Sequence, residues 1–201
     1  MSDDLIRNAL ETICALANAY LENLDRRDDA WVSLTSLVDH GGALNQGARD
    51  KIIMCVYNIT RETTISTYQP TLSSGRNMDP AAALAIVCPP LFIDIHLMFM
   101  ANFTEKNYGD GLAALSRLIA YFQQTPYYDS ANAPMLAPAF DKLTLEFENL
   151  SPVDVNYVMS MLGTRYLPSA FYKLRMIPFA STAMQGRAYA VGGTGMAEGR
   201  S

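Results

Sequence analysis

Residues 91–100 read LFIDIHLMFM, and their side chains alternate in kind. Leu91, Ile93, Ile95, Leu97 and Phe99 fall on one face of an extended chain; Phe92, Asp94, His96, Met98 and Met100 fall on the other. Such a run constrains the fold strongly, because a slip of one residue would exchange the two faces. The odd-numbered stripe is therefore expected in a core, covered by at least one helix.

The surrounding patterns supply the other layers. Leu5, Ile6, Ala9, Leu10, Ile13, Leu16, Ala17, Tyr20, Leu21 and Leu24 recur at helical spacing. Ser2, Asp3 or Asp4 can cap that helix, and the charged stretch 25–29 ends it. Segment 31–38 is apolar and fits neither period, and Gly41, Gly42 and Gly47 mark a loop. Residues 51–60 read as a strand buried on both faces. A second helix carries Leu112, Leu115, Leu118, Ile119 and Phe122, with Asp110 as its cap and Pro126 beyond its end. Leu143, Leu145 and Phe147 form the inner face of a half-exposed strand, with Thr144, Glu146 and Glu148 outward. Ser151 and Pro152 open a third helix lined by Val153, Tyr157, Val158, Met161 and Leu162 and stopped by Gly163. Residues 169–179 make the last strand. Strand, helix, strand, helix, strand after residue 90 implies an α/β layer fold with short crossovers.

Two segments stand apart. Residues 62–90 are irregular, broken by Pro70, Gly75 and Pro80, with a possible helical turn over 79–86. Residues 181–201 hold five glycines and almost no large apolar side chain, too little for a core. The expected organisation is one α/β domain over 1–180 and a flexible arm over 181–201. Backbone pairing with a neighbouring subunit is one way to order such an arm, with Arg187, Tyr189 and Arg200 as anchors.

Charge narrows the class. The net of −5 lacks the basic face that phosphate binding requires, which argues against nucleic acid. Residues 1–50 carry nine acids and four bases, and residues 163–201 carry five bases and one acid. An acidic start and a basic end can attract across a subunit boundary. Cys14, Cys55 and Cys88 are odd in number, lie among apolar neighbours and form no CxxC, so they read as buried thiols of a reducing compartment. Asp3 and Asp4 stand where a signal peptide needs basic residues, and the apolar run 84–100 is interrupted by Pro89, Pro90, Asp94 and His96. Cytoplasmic assembly without direct membrane insertion is the expectation.

Catalytic patterns are missing. His96 and Asp94 share a strand face, which would suit acid–base work, but no G-x-S-x-G accompanies them. His40 has no such neighbour. No HExxH and no Cys or His pair stands at metal-ligand spacing, and Gly192, Gly193 and Gly195 lack the Lys-Ser/Thr of a phosphate loop. No cofactor and no enzymatic activity are expected. The eleven tyrosines and eleven methionines suit adaptable contact surfaces.

Three stretches in order carry a family resemblance: PPLFIDIHLMFMANF, GLAALSRLIAYFQQTPYYD and LTLEFENLSPVDVNYVMSMLGTRYLPSAFYKLRMIPF. Together they resemble the cap, or tail-terminator, proteins of extracellular contractile injection systems, which are phage-tail-like particles. The resemblance covers about half the chain, and the N-terminal helix fits as the family's opening helix. Asn102, Phe103 and Thr104 depart from the family's small-residue-plus-aromatic strand end, and the Gly-rich tail has no counterpart. It implies a mixed β-sheet flanked by helices. It also implies a homo-oligomer, typically a hexameric ring, that meets tube and sheath proteins at the end far from the baseplate and stops their growth. The resemblance fits both released and membrane-docked particles. Heterologous ring contacts pair two different patches; Arg165, Lys173, Arg175, Arg187, Tyr189 and Arg200 are the candidate assembly residues at the basic end. Open alternatives are a baseplate part or tube–sheath adaptor of the same particle, a small enzyme using Asp94 and His96, or a ligand-binding domain.

Overall fold

The computed structural model describes residues 4–39, 41–43, 45–63, 71–73, 84–87, 91–138, 140, 142–179 and 184–188, with the backbone alone at 71–73, 84–87, 176, 178–179 and 184–188. In chain order the elements are α1 (Leu5–Leu24), β1 (Val32–Leu34), β2 (Lys51–Arg61), β3 (Thr71–Ser73), β4 (Leu84–Val87), β5 (Leu91–Asn102), α2 (Tyr108–Gln124), β6 (Tyr127–Tyr128), β7 (Leu143–Phe147), α3 (Pro152–Met161), β8 (Ser169–Phe179) and β9 (Met184–Ala188). They sort into two compact units, Met1–Glu62 with Phe92–Pro178, and Thr63–Leu91 with Phe179–Ser201.

The first unit is a six-stranded mixed sheet in the order β1-β2-β5-β8-β7-β6. β1 runs parallel to β2, whereas β2 with β5, β7 with β8 and β6 with β7 are antiparallel. The Ala101 N–H donates to the Pro168 carbonyl at one end of β5, and Asp94 faces Arg175 toward the other, so β8 also runs antiparallel to β5.

The alternation of β5 divides two cores. Ile93, Ile95, Leu97, Phe99 and Ala101 pack with α1 and α2 through Leu10, Ile13, Leu21, Leu115, Leu118 and Phe122. Phe99 is fully enclosed, its ring 5.1 Å from Phe122 and 5.7 Å from Tyr172. Met98 and Met100 face the opposite way and meet Ile53, Phe171, Val158 and Met159 of α3. The α/β layer expectation holds, with Leu91 as an exception that lies exposed at the strand's start.

A β-bulge changes the pattern on β2. Cys55 pairs with Met98 and Val56 with Leu97, but Asn58 pairs with His96, which leaves Tyr57 as an extra residue. Before the bulge Ile53 and Cys55 share a face with Met98 and Met100; after it Thr60 shares that face with Asp94 and His96.

Side chains lock the helices to the sheet. Asn18 of α1 donates from Nδ2 to the Val32 carbonyl and accepts from the Val32 N–H, both at 2.8 Å, which holds the short edge strand β1. Helix α3 starts on a complete capping box: the Asp154 N–H donates to Ser151 Oγ, and the Asp154 carboxylate accepts from Ser151. It ends at Gly163, whose φ of +67° suits glycine.

Several expectations are corrected. Segment 31–38 contains β1, and Tyr127–Tyr128 forms β6. α2 begins at Tyr108 with Asn107 as its N-cap, so Asp110 sits in the first turn. Leu112 and Ile119 of α2 and Phe147 of β7 are exposed. In α3 the buried residues are Val158 and Met159, while Val153, Tyr157 and Met161 point to solvent. That helix carries apolar residues on both its inner and its outer side, so periodicity alone did not identify the inner one.

The second unit is a three-stranded antiparallel sheet in the order β3-β4-β9. Region 62–90 thus contains two strands, and residues 84–86 belong to β4, not to a helical turn. Within the expected arm, β9 pairs with β4 of the same chain, Arg187 opposite Ala85 and Ala188 opposite Leu84. His40, Cys88, Pro89, Pro90, Tyr189 and the glycines at 192, 193 and 195 lie outside the described residues, as does Arg200.

Candidate functional site

The face of the sheet that α3 covers is apolar only in part. Beyond Met98 it becomes a polar seam across four neighbouring strands, β2, β5, β8 and β7. Glu62 follows β2, Asp94 and His96 stand on β5, Lys173 and Arg175 on β8, and Glu146 and Glu148 on or after β7. Glu62, Asp94 and His96 are buried.

Arg175 is the centre of one half. Its Nε donates to Glu62 Oε2 at 2.8 Å, its Nη2 lies 2.7 Å from the same oxygen, and its Nη1 donates to Glu146 Oε1 at 3.0 Å. Asp94 Oδ1 is 4.0 Å from its Nε. The hydrogen bonds to Glu62 and then Glu146 hold the guanidinium firmly in its charged form.

His96 is the centre of the other half. Its Nδ1 lies 2.9 Å from Glu148 Oε2 and its Nε2 lies 2.9 Å from Thr60 Oγ1. With Glu148 ionised, Nδ1 must be the donor to it, and the Thr60 hydroxyl meets the ring at Nε2. Tyr57, the bulge residue, donates its phenol proton to the same Glu148 oxygen at 2.7 Å. Burial first, and then the Glu148 contact, push the Tyr57 phenol far above its ordinary value. Burial would raise the Glu148 carboxyl. Hydrogen bonds from His96 and Tyr57, with the charges of His96 and Lys173, outweigh it and leave Glu148 below the usual carboxylate range.

Asp94 and His96, paired by sequence, thus serve different clusters. The hydroxyl–imidazole–carboxylate chain of Thr60, His96 and Glu148 has the connectivity of a proton relay. Thr60, however, lies within a strand and not on a tight turn. The apolar cavity of about 290 Å³ lined by Leu34, Leu37, Met54, Cys55, Met100 and Leu162 includes none of the three. Among the described residues no group of three His, Cys, Asp or Glu side chains is arranged to hold a metal ion. No helix among them is long and apolar enough to cross a membrane.

Of the candidate assembly residues, Arg175 and Lys173 belong to this seam, Lys173 at 3.9 Å from Glu148. Arg165 is exposed in the loop after α3, beside Tyr166, and Arg187 lies on β9. Glu62, Glu148, Tyr57 and Thr60 were not singled out from sequence. One signal was legible: Glu146 and Glu148, and Lys173 and Arg175, each stand two apart on strands that pair, with Glu146 opposite Lys173.

With the geometry in place, comparison with known proteins decides the family. The Pvc16 N-terminal domain matches residues 8–192. The chain belongs to that family. No curated protein sequence matches the chain. Among solved structures it is similar to the sheath/tube terminator, in the extended state, of the extracellular contractile injection system PVC. That likeness has a TM-score of 0.58 at 14% identity and covers 98% of this chain and 64% of the terminator chain. It is also similar to the tube-terminating cap of the anti-feeding prophage, with a TM-score of 0.56 at 11% identity, over 94% of this chain and 58% of the cap chain. At these identities the likeness is one of fold, and the Pvc16 N-terminal domain chain spans less than two thirds of either neighbour's length.

Proposed function

We propose that this protein is a structural cap of a contractile injection system, which ends tube and sheath growth at the end distal to the baseplate. The observation that carries the reading is the fold it shares, over nearly its whole length, with two proteins described as terminators of such particles. Family membership supports it. In this reading the chain acts by geometry. One side of a ring, six-membered by the family's habit, meets the last tube or sheath layer, and the other side offers no surface for addition.

The role is non-catalytic in this reading. Both ring nitrogens of His96 are engaged inside the sheet, and Asp94 faces Arg175. The partners are further copies of the chain and the tube and sheath proteins, and the site of action is the particle, after assembly in the cytoplasm. Arg165 is a candidate contact because it is exposed. Residues 181–201, with Arg187, Tyr189 and Arg200, remain the proposed docking arm; deleting them removes β9 from the second unit and should leave the first unit folded in a protein that no longer joins particles.

Electron microscopy of particles made without this protein tests the main proposal. Tubes of uncontrolled length are expected. Absence of tubes would point to a baseplate part, and tubes of normal length would overturn the cap role.

A further inference from the structure

The two margins of the six-stranded sheet are unequal. At one, β6 covers the start of β7, which ends soon after, at Phe147. At the other, β1 accompanies β2 only over Ile52–Met54, whereas β2 runs on to Arg61. Among the described residues no strand lies beside Cys55–Arg61 on that side. A strand edge of this kind is a template for another chain, because its outward N–H and C=O groups repeat at the spacing of a β-ladder.

The register fixes which groups those are. The Glu62 N–H donates to the Phe92 carbonyl, one step beyond the pair of Arg61 and Ile93. Counting back along an antiparallel ladder, Thr60 with Asp94 and Asn58 with His96 are then hydrogen-bonded pairs, and Ile59 and Arg61 turn their backbone groups away from β5 toward the open side. Ile59, 48% exposed, is the apolar side chain of this edge.

The outward Ile59 N–H is nevertheless occupied: Asn58 Oδ1 accepts from it at 2.9 Å. Asparagine is a poor strand former, and its side chain competes with ladder partners for nearby backbone groups. Here its oxygen takes the place that a carbonyl of an added strand would need. The bulge at Tyr57 works to the same end, since bulges twist an edge out of line with a would-be partner.

We propose that Asn58 is an edge guard: its side-chain oxygen closes the outward amide of Ile59 and keeps a further strand from adding to β2. The device holds free chains apart. It does not rest on the cap role, which tube length reports separately.

The test uses the full chain. Asn58→Val removes the acceptor and supplies a strand former, whereas Asn58→Asp keeps an oxygen in the same place. Hydrogen exchange at the Ile59 amide, read by NMR, should be about tenfold faster in the valine protein than in the native one and close to native in the aspartate protein. Light scattering at high concentration should give the valine protein a larger mass than the native protein, and the aspartate protein the native mass. Adding Ile59→Lys to Asn58→Val places a charge on the edge and should restore the native mass. Circular dichroism checks the fold, and Asn58→Ala, which only shortens an exposed side chain, repeats the readings if the valine disturbs it. Equal Ile59 exchange in the native and valine proteins overturns the proposal. So does a freed amide at native mass, an Asn58→Asp protein that associates, or association that Ile59→Lys leaves intact.

Discussion

Arg175 Nη2 lies 2.7 Å from Glu62 Oε2, and the Glu62 side chain is 2% exposed. This ion pair closes β8 over the end of β2, across the intervening β5. Buried carboxylates tolerate such a position only when compensated. Arg175→Met should therefore destabilise the protein by about 3 kcal/mol, because it removes the counter-charge and hydrogen bonds that Arg175 gives buried Glu62. Glu62→Gln should cost less, since a neutral amide leaves nothing uncompensated. Urea unfolding of the two variants checks the order; equal losses would refute it.

Gly111 of α2 is fitted to an aromatic ring. A Cβ there would lie 2.6 Å from Phe103 Cδ2 and 2.8 Å from its Cγ. Phe103 is itself held near Trp31, at 6.4 Å between ring centroids, with the Arg27 guanidinium 4.5 Å above the indole. In an open helix Gly→Ala gains about 1 kcal/mol. Here the forced shift should reverse the sign and cost about 1–3 kcal/mol. A stabilised Gly111→Ala protein by thermal unfolding would show that the ring moves freely.

Acid should weaken the fold through specific carboxylates. Glu148 is held below the usual range against the opposing effect of burial. Asp50 is lowered first by the hydrogen bond from the Thr104 backbone N–H and further by the Thr104 hydroxyl. A carboxyl whose folded value is depressed contributes stability above its unfolded pKa, about 4.3 for a glutamate and about 3.9 for an aspartate, and loses it as pH falls through the folded value. The urea midpoint should be nearly flat from neutral pH to about 5 and fall below about 4.3. Glu148→Gln should lower the neutral plateau and make the acid fall shallower.

Burial pushes the Cys55 thiol up to about 12, and the Cys14 thiol is raised for the same reason. Only thiolate reacts readily. The folded protein at pH 7.5 should therefore alkylate at these positions far more slowly than the urea-unfolded chain, with peptide mass spectrometry as the readout. Equal rates would mean that the β2 face opens in solution.

Sequence periodicity found what depends on near neighbours. The alternation of residues 91–100, the Ser151 cap and the Gly163 stop are local, and the structure places them as read. The seam was not legible because its partners are distant: Glu62 and Arg175 are 113 residues apart and His96 and Glu148 are 52 apart. Nor can pattern choose the inner side of α3, where apolar residues stand on both sides. Strands β3 and β4 were hidden by the proline and glycine breakers around them.

The residue inserted at Tyr57 works as a frameshift in β2. Upstream of it, odd-numbered side chains share the face of Met98 and Met100; downstream, even-numbered ones do. Removing Tyr57 would restore an unbroken ladder and leave every later pair in place, with Asn58 still opposite His96 and Thr60 still opposite Asp94. The numbering would fall back into step while no side chain changed layers, and only the phenol that meets Glu148 would go. The spare link lets the strand deliver one more side chain to the seam without turning any of the others over.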